Sequence, residues 1–185
     1  RRQRQMCIRD SSKGRNIFMK IFLVGPMGSG KSKIGKLLSS QLNLNLIDID
    51  REIEAKFEKT IVDIFASEGE QGFRKKEIDF LTEVNEIEDA VVSTGGGIIE
   101  ASANRDILNK EEYVVFLNAS IESQFQATKD KTKRPLLNNE NPKQVLESLY
   151  EHRLELYKSV SNLELSPDLL SNEDIVKEII NFLNV

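Results

Sequence analysis

The chain has 185 residues, 39% of them hydrophobic and 30% charged, and a formal net charge of −4. That length suits one domain with a continuous core, and that composition excludes an intrinsically disordered chain. No apolar run approaches the ~20 residues that a bilayer-crossing helix needs, and a single cysteine, Cys7, cannot build a disulfide framework.

The charge is unevenly placed. Residues 1–18 hold six basic side chains and one acid, Asp10, a net of +5, which leaves 20 basic and 29 acidic residues, −9, from Met19 onward. The segment lacks the apolar stretch and cleavage pattern of a secretory signal, and its arginines and serines match an organelle transit peptide only weakly. A nucleic-acid-binding arm is another use of such charge. Met19 stands one residue before the first strand, and RRQRQMCIRDS looks like translated adapter sequence. Residues 1–18 are therefore read as an artefact or tag, and residues 19–185 as the domain.

From Lys20 the pattern alternates strand and helix. Residues 21–24 form a short apolar run stopped by Gly25-Pro26, a buried strand. Ile34, Leu37, Leu38 and Leu42 follow at helical spacing. A second strand is expected at 45–49, helix over most of 50–88, a third strand at 90–93 and a fourth at 113–117. Ser120 caps a helix running to about 128. Residues 129–142 are polar with two prolines and read as a mobile loop. Helix resumes over 142–158, a weak strand follows near 160–165, and Ser171 and Asp174 open a final helix in capping-box positions. That helix takes its apolar face from Ile175, Val176, Ile179, Ile180 and Leu183. Repeated βα units imply a parallel sheet with helices on both faces.

Gly25-Pro26-Met27-Gly28-Ser29-Gly30-Lys31-Ser32 fits G-x-x-x-x-G-K-[ST] and lies between the first strand and a helix. Glycines there let backbone N–H groups turn toward phosphate, and the helix adds its positive N-terminal end. Lys31 can reach β- and γ-phosphates, and the Ser32 hydroxyl can coordinate Mg²⁺. Lys33 opposes the helix macrodipole; it either leans on a phosphate or, as preferred here, points to solvent. Nucleotide binding follows from this motif; the acceptor does not.

Asp48 and Asp50 end the second strand, where ligands collect in open α/β sheets. Two apart on extended chain, both can face one cleft, one holding Mg²⁺ through water and the other accepting a hydrogen bond from an attacking hydroxyl. The spacing equally suits strand-end turn acids, with Asp50 capping the next helix. Gly95-Gly96-Gly97 after the third strand points to close approach by a ligand, since three glycines are conformationally costly. Ser93 and Thr94 stand where many phosphate-loop enzymes carry an acidic metal partner, and their hydroxyls can bind Mg²⁺-bound water.

Arg74, Arg134 and Arg153 are candidate forks for carboxylate or phosphate, although each taken singly also suits a solvated charge. Glu77, three residues after Arg74, is read as its surface partner. Arg134 lies in the long polar loop, a natural lid. His152 is the only histidine and Cys7 is remote, so zinc and Ser-His-Asp chemistry are unsupported.

Together GPMGSGKS, DIDREIE, IVDIFASEGEQGFR, STGGG, KRPLL and EHRLELY resemble the shikimate kinase family, from Lys20 to the C-terminus and in the family's order. The resemblance implies a three-layer P-loop NTPase-like α/β fold, with a five-stranded parallel sheet of order 2-3-1-4-5 and a lid at about 129–142. It implies transfer of the ATP γ-phosphoryl group to the 3-hydroxyl of shikimate, on the route to chorismate and the aromatic amino acids. By the same token Lys31 and Ser32 match phosphate and Mg²⁺ residues, within an ATP site also including Gly28, Ser29, Gly30, Lys33 and Arg134. Asp48 matches a metal carboxylate acting through water, and Asp50 the acid that binds substrate hydroxyls and accepts the proton. Arg74 and Arg153 match the arginines holding the shikimate carboxylate, Gly95, Gly96 and Gly97 the loop beside it, and Arg134 the lid arginine at the transferred phosphoryl group. Lys31, Asp50 and Arg134 are thus the expected catalytic trio. A monomer is implied, with Mg²⁺ as cofactor, ATP as co-substrate and no nucleic-acid or membrane partner. A domain free of cysteine fits a reducing cytoplasm.

Three departures bear on nucleotide affinity and base selectivity rather than on the reacting centre. Lys33 replaces a threonine that touches the α-phosphate. Ala127 stands where many members stack an arginine on adenine, with Gln126 and Lys129 nearby, and the loop 166–172 differs from the usual adenine-contacting pattern. The alternatives are a related small-molecule kinase of gluconate kinase type and a catalytically silent relative. Loss of Asp50, Arg74 or Arg153 would mark either, and all three are present.

Overall fold

In the computed structural model, residues 19–129 and 141–184 are described. Residues 1–18, and Arg134 with most of the expected lid, lie outside them.

The four apolar residues Ile21, Phe22, Leu23 and Val24 are all fully buried because their strand, β1 (Lys20–Val24), is the central one. It pairs in parallel with β3 (Ala90–Ser93) on one side and β4 (Tyr113–Leu117) on the other. β2 (Asn45–Asp48) extends β3 and β5 (Leu163–Leu165) extends β4, also in parallel. The resulting order is β2-β3-β1-β4-β5, as the resemblance implied. Alternate residues of each strand serve opposite faces. Phe22, Val24, Val92, Val114 and Phe116 join one core layer, and Ile21, Leu23, Val91, Val115 and Leu117 the other. Each such side chain contributes about 1.5–3 kcal/mol on burial.

Helices cover both faces. α1 (Lys31–Leu42) and α7 (Asn172–Leu183) close the second layer with Ile34, Leu38, Ile175, Val176, Ile179 and Leu183. α1 stops where Asn43 turns left-handed at φ 54 and its N–H bonds Ser39 O. The Ser171 hydroxyl caps α7, with Asp174 in the reciprocal position. The first layer is closed by α2 (Ile49–Phe57), α3 (Ile61–Asn85) and α6 (Pro142–Val160). Between them lie α4 (Ser102–Leu108), after a 3₁₀ turn at Ile98–Glu100, and α5 (Ile121–Ala127), capped by Ser120.

The structure differs locally from the sequence reading at five points. β2 ends at Asp48, whose side chain accepts from Arg51 N at 3.4 Å, so Asp48 and not Asp50 caps α2. The stretch 50–88 divides at Thr60, which forms a capping box with Asp63 and starts α3. Inside α3, Gly69 at φ 71 kinks the helix just before Glu70. α4 was not expected: it is short and lacks an apolar stripe, and its buried Asn104 is held by a bond to Ile98 O. The last two predicted bounds shift because α6 runs to Val160 and β5 shrinks to three residues.

β1, β2 and β3 all end on one side of the sheet. Among the described residues no helix is long and apolar enough to cross a membrane.

Candidate active site

The phosphate loop leaves β1 and re-enters helix at Lys31. Gly28 (φ 77) and Gly30 (φ 88) hold left-handed conformations that side chains resist. Gly28 has a second constraint, since a Cβ there would stand 2.9 Å from the Ala127 Cβ of α5. Buried Lys31 donates from Nζ to Gly25 O and Pro26 O, each at 2.7 Å, with Ser29 Oγ at 3.3 Å. Carbonyl dipoles thus hold the cation inside the loop, where a phosphate is a stronger partner. Lys33, like Ser32, is exposed.

Ser32 Oγ donates to Asp48 Oδ2 at 2.6 Å, and Ser93 Oγ lies 3.4 Å from Ser32 Oγ. A hydroxyl beside a carboxylate is a hard-oxygen set of the kind Mg²⁺ takes, with water and phosphate completing its shell. Among the described residues no cluster of three or more His, Cys, Asp or Glu could hold a metal. The Thr94 hydroxyl donates to Leu23 O at 2.9 Å, which ties the end of β3 to β1.

Beyond the phosphate loop opens a cleft of about 800 Å³ lined by Asp48, Asp50, Arg74, Glu77, Gly95–Gly97 and Arg153, with Met27, Phe65 and Phe73 as apolar walls. Asp50 reaches it from the first turn of α2 rather than from extended chain, so the two acids share the cleft for a reason other than strand alternation. The glycines admit the protein's own groups. A Cβ on Gly95 would lie 2.7 Å from Asp50 Oδ1 and 2.8 Å from Glu77 Oε1; on Gly96, 3.2 Å from Met27 N; on Gly97, 2.2 Å from Arg74 Nη1.

Arg74 and Arg153 are not solvated charges. Arg74 donates from Nη2 and Nε to Glu70 Oε1, at 2.9 and 3.2 Å, and from Nη1 to Glu77 Oε2. Burial opposes its charge, and the carboxylates of Glu77 and Glu70 outweigh that, so it stays protonated. Arg153 is 3% exposed and donates from Nε to Glu100 Oε1 at 2.7 Å. His152, exposed on the neighbouring position, sits 3.1 Å from Glu100 Oε2. Burial would raise the Glu100 carboxyl, but Arg153 and His152 hold it below the usual range.

Glu77 corrects the sequence reading: it is a fully buried residue, not half of a surface pair. It falls on the inward stripe of α3 with Phe73, Leu81 and Val84. Burial, reinforced by the charge of Asp50, pushes its carboxyl up to about 7 against the pull of Arg74 and Arg153.

Tyr157 was missed. One turn after Arg153, fully buried, it donates its hydroxyl to Gly96 O and stacks on Phe116 at 5.0 Å. Its signal was the four-residue spacing from Arg153 within EHRLELY. Asp168, in the atypical loop, accepts from Ser120 N at 2.7 Å and from the hydroxyls of Ser120 and Ser123, tying that loop to the start of α5.

A family model for shikimate kinase matches residues 27–184. The chain is 42% identical over 165 residues to the shikimate kinase of Haemophilus influenzae, covering 89% of this chain and 92% of that one. Identity to the Histophilus somni shikimate kinase is 44%, with coverage of 89% and 94%. A solved shikimate kinase from Acinetobacter baumannii, in complex with shikimate, superposes with a TM-score of 0.86 at 38% identity, covering 89% of this chain and 92% of that one. With phosphate loop, paired arginines and glycine loop gathered at one end of its 2-3-1-4-5 sheet, the chain belongs to the shikimate kinase family.

Proposed function

We propose that the protein transfers the γ-phosphoryl group of ATP to the 3-hydroxyl of shikimate, giving shikimate 3-phosphate and ADP. The observation that carries this reading is the convergence of Asp50, Arg74 and Arg153 on one glycine loop beside the phosphate loop. An anionic ring acid bearing hydroxyls fits that set: arginine forks for its carboxylate, an acid for its hydroxyl.

In this mechanism Arg74 and Arg153 bind the carboxylate and so fix the ring. Asp50 orients the 3-hydroxyl and takes its proton as the oxygen bonds the γ-phosphorus and the bond to the ADP oxygen breaks. Lys31 and the N–H groups of Gly28, Ser29 and Gly30 hold the phosphates. Ser32, and Asp48 through water, would hold Mg²⁺, which when bound neutralises phosphate charge. Arg134 closes over the transferred group from the loop 129–142, and Lys33 stays at the solvent edge of the nucleotide site. Residues 19–185 form the catalytic domain and residues 1–18 are dispensable. The enzyme works as a monomer in the cytoplasm, without nucleic-acid or membrane partners.

The test is ADP release from ATP and Mg²⁺ with and without shikimate. Release that depends on shikimate is expected. Release with gluconate in its place would overturn the assignment, and nucleotide binding without turnover would mark a silent relative.

A further inference from the structure

Among the described residues, Glu77 is the one buried acid that the mechanism above leaves without a task. Its Oε2 accepts from Arg74 Nη1, while Oε1 is buried with no hydrogen-bond partner among the described residues. That bare oxygen and Asp50 Oδ1 both crowd the same point above the Gly95 Cα. An ionised carboxylate with one buried oxygen that accepts no hydrogen bond and faces a second carboxylate is costly. A proton on Oε1 removes the charge and turns that oxygen from an unsatisfied acceptor into a donor.

The charged groups around it decide when the proton binds. α3 itself brings Arg74, backed by Glu70; α2 brings Asp50; and α6 brings Arg153, held by Glu100, which in turn meets His152. The loop 95–97 brings no side chain. In the empty site both arginines pull the proton off Glu77, and burial with Asp50 keeps it on, a balance near neutrality.

Resting on the reading that the substrate's carboxylate is held by Arg74 and Arg153, we propose that Glu77 couples substrate binding to the uptake of a proton. An incoming carboxylate shares the charge of both arginines, adds negative charge beside Glu77 and displaces water from the cleft. All three effects favour the neutral acid. Glu77 is thus a positioning residue acting through Arg74: protonated, it stops competing for the guanidinium and no longer repels the anion. Linkage makes the effect reciprocal, so the substrate binds more weakly as pH rises.

The experiment is isothermal titration calorimetry of the full chain with shikimate, without nucleotide, in two buffers of different ionisation enthalpy at about pH 7 and pH 8. A net uptake of a fraction of a proton per shikimate is expected, with a Kd that rises with pH, about threefold between these two pH values and about tenfold over the whole titration if binding raises the Glu77 pKa by about one unit. Glu77→Gln should abolish both the uptake and the pH dependence of Kd, while His152→Gln should keep them. Binding with no uptake, or with proton release, overturns the inference, and the wild-type measurement decides this even if Glu77→Gln does not fold. Failure to bind shikimate at any pH overturns the functional reading and this inference with it.

Discussion

The guanidinium of Arg74 fills the space beside Gly97 that a side chain would take, so that a Cβ at position 97 would stand 2.2 Å from Nη1 and 2.3 Å from Nη2. Gly97 itself has an ordinary φ of −100, so alanine imposes no backbone strain there. What must move is the flexible end of Arg74. Gly97→Ala is therefore expected to raise KM for shikimate by about tenfold or more, the cost of a misplaced charged hydrogen bond, with KM for ATP and Tm close to wild type. Steady-state kinetics against each substrate checks this. An unchanged KM for shikimate would sink the assignment of Arg74.

Asp50 and Arg74 should separate cleanly in kinetics. Asp50→Asn keeps the shape of the cleft and removes the proton acceptor, so kcat falls by roughly 10²–10⁴ while ATP affinity is retained. Arg74→Ala acts chiefly on KM for shikimate. Full turnover in Asp50→Asn would remove the role given to that acid.

Tyr157→Phe deletes the hydrogen bond to Gly96 O and keeps the stack on Phe116. The loss should cost about 1 kcal/mol of stability. Because the freed carbonyl belongs to the glycine loop, KM for shikimate should rise as well. A variant that loses Tm but keeps KM would show that the tyrosine supports the core alone.

Glu77 should make the protein less stable as pH rises. Its folded-state carboxyl sits at about 7, above an unfolded value near 4.5. Between those values the folded chain binds more protons than the unfolded one, so stability falls as pH climbs through the window and the loss is complete above the folded value. In Glu77→Gln this contribution vanishes. The Tm difference, variant minus wild type, should thus be more positive at about pH 8 than at about pH 5. Thermal melts at both pH values test it; a pH-independent difference would refute it.

Much of this was legible in the sequence because it depends on neighbours along the chain. The phosphate loop is eight consecutive residues between an apolar run and an amphipathic helix, and Ser120 and Ser171 each cap a helix by accepting from the N–H three residues on. Asp48 was harder. Strand alternation and helix capping both suit an acid at that position, and only the chain's turn at Ile49 decides between them.

The burial of Glu77 and Arg153 was written in the sequence but hidden by their charge. Glu77 follows Phe73 by four residues and precedes Leu81 by four; Arg153 precedes Tyr157 by four and Val160 by seven. Both occupy inward stripes, where a charge is normally absent unless it has a partner. The partners come from elsewhere: Glu100 lies 53 residues before Arg153, and Asp50 reaches Glu77 from another helix.

Residue type and spacing along the chain thus determined the order of elements, the phosphate loop and the identity of the ionisable groups available to the site. Only the tertiary structure decided how those groups stand to one another: Arg74 on Gly97, Tyr157 on Gly96, and two carboxylates over Gly95. The reason is physical. Backbone conformation is set by local sterics and hydrogen bonds, whereas the energy of a buried charge depends on which opposite and like charges the fold brings within a few ångströms, and on the water it removes.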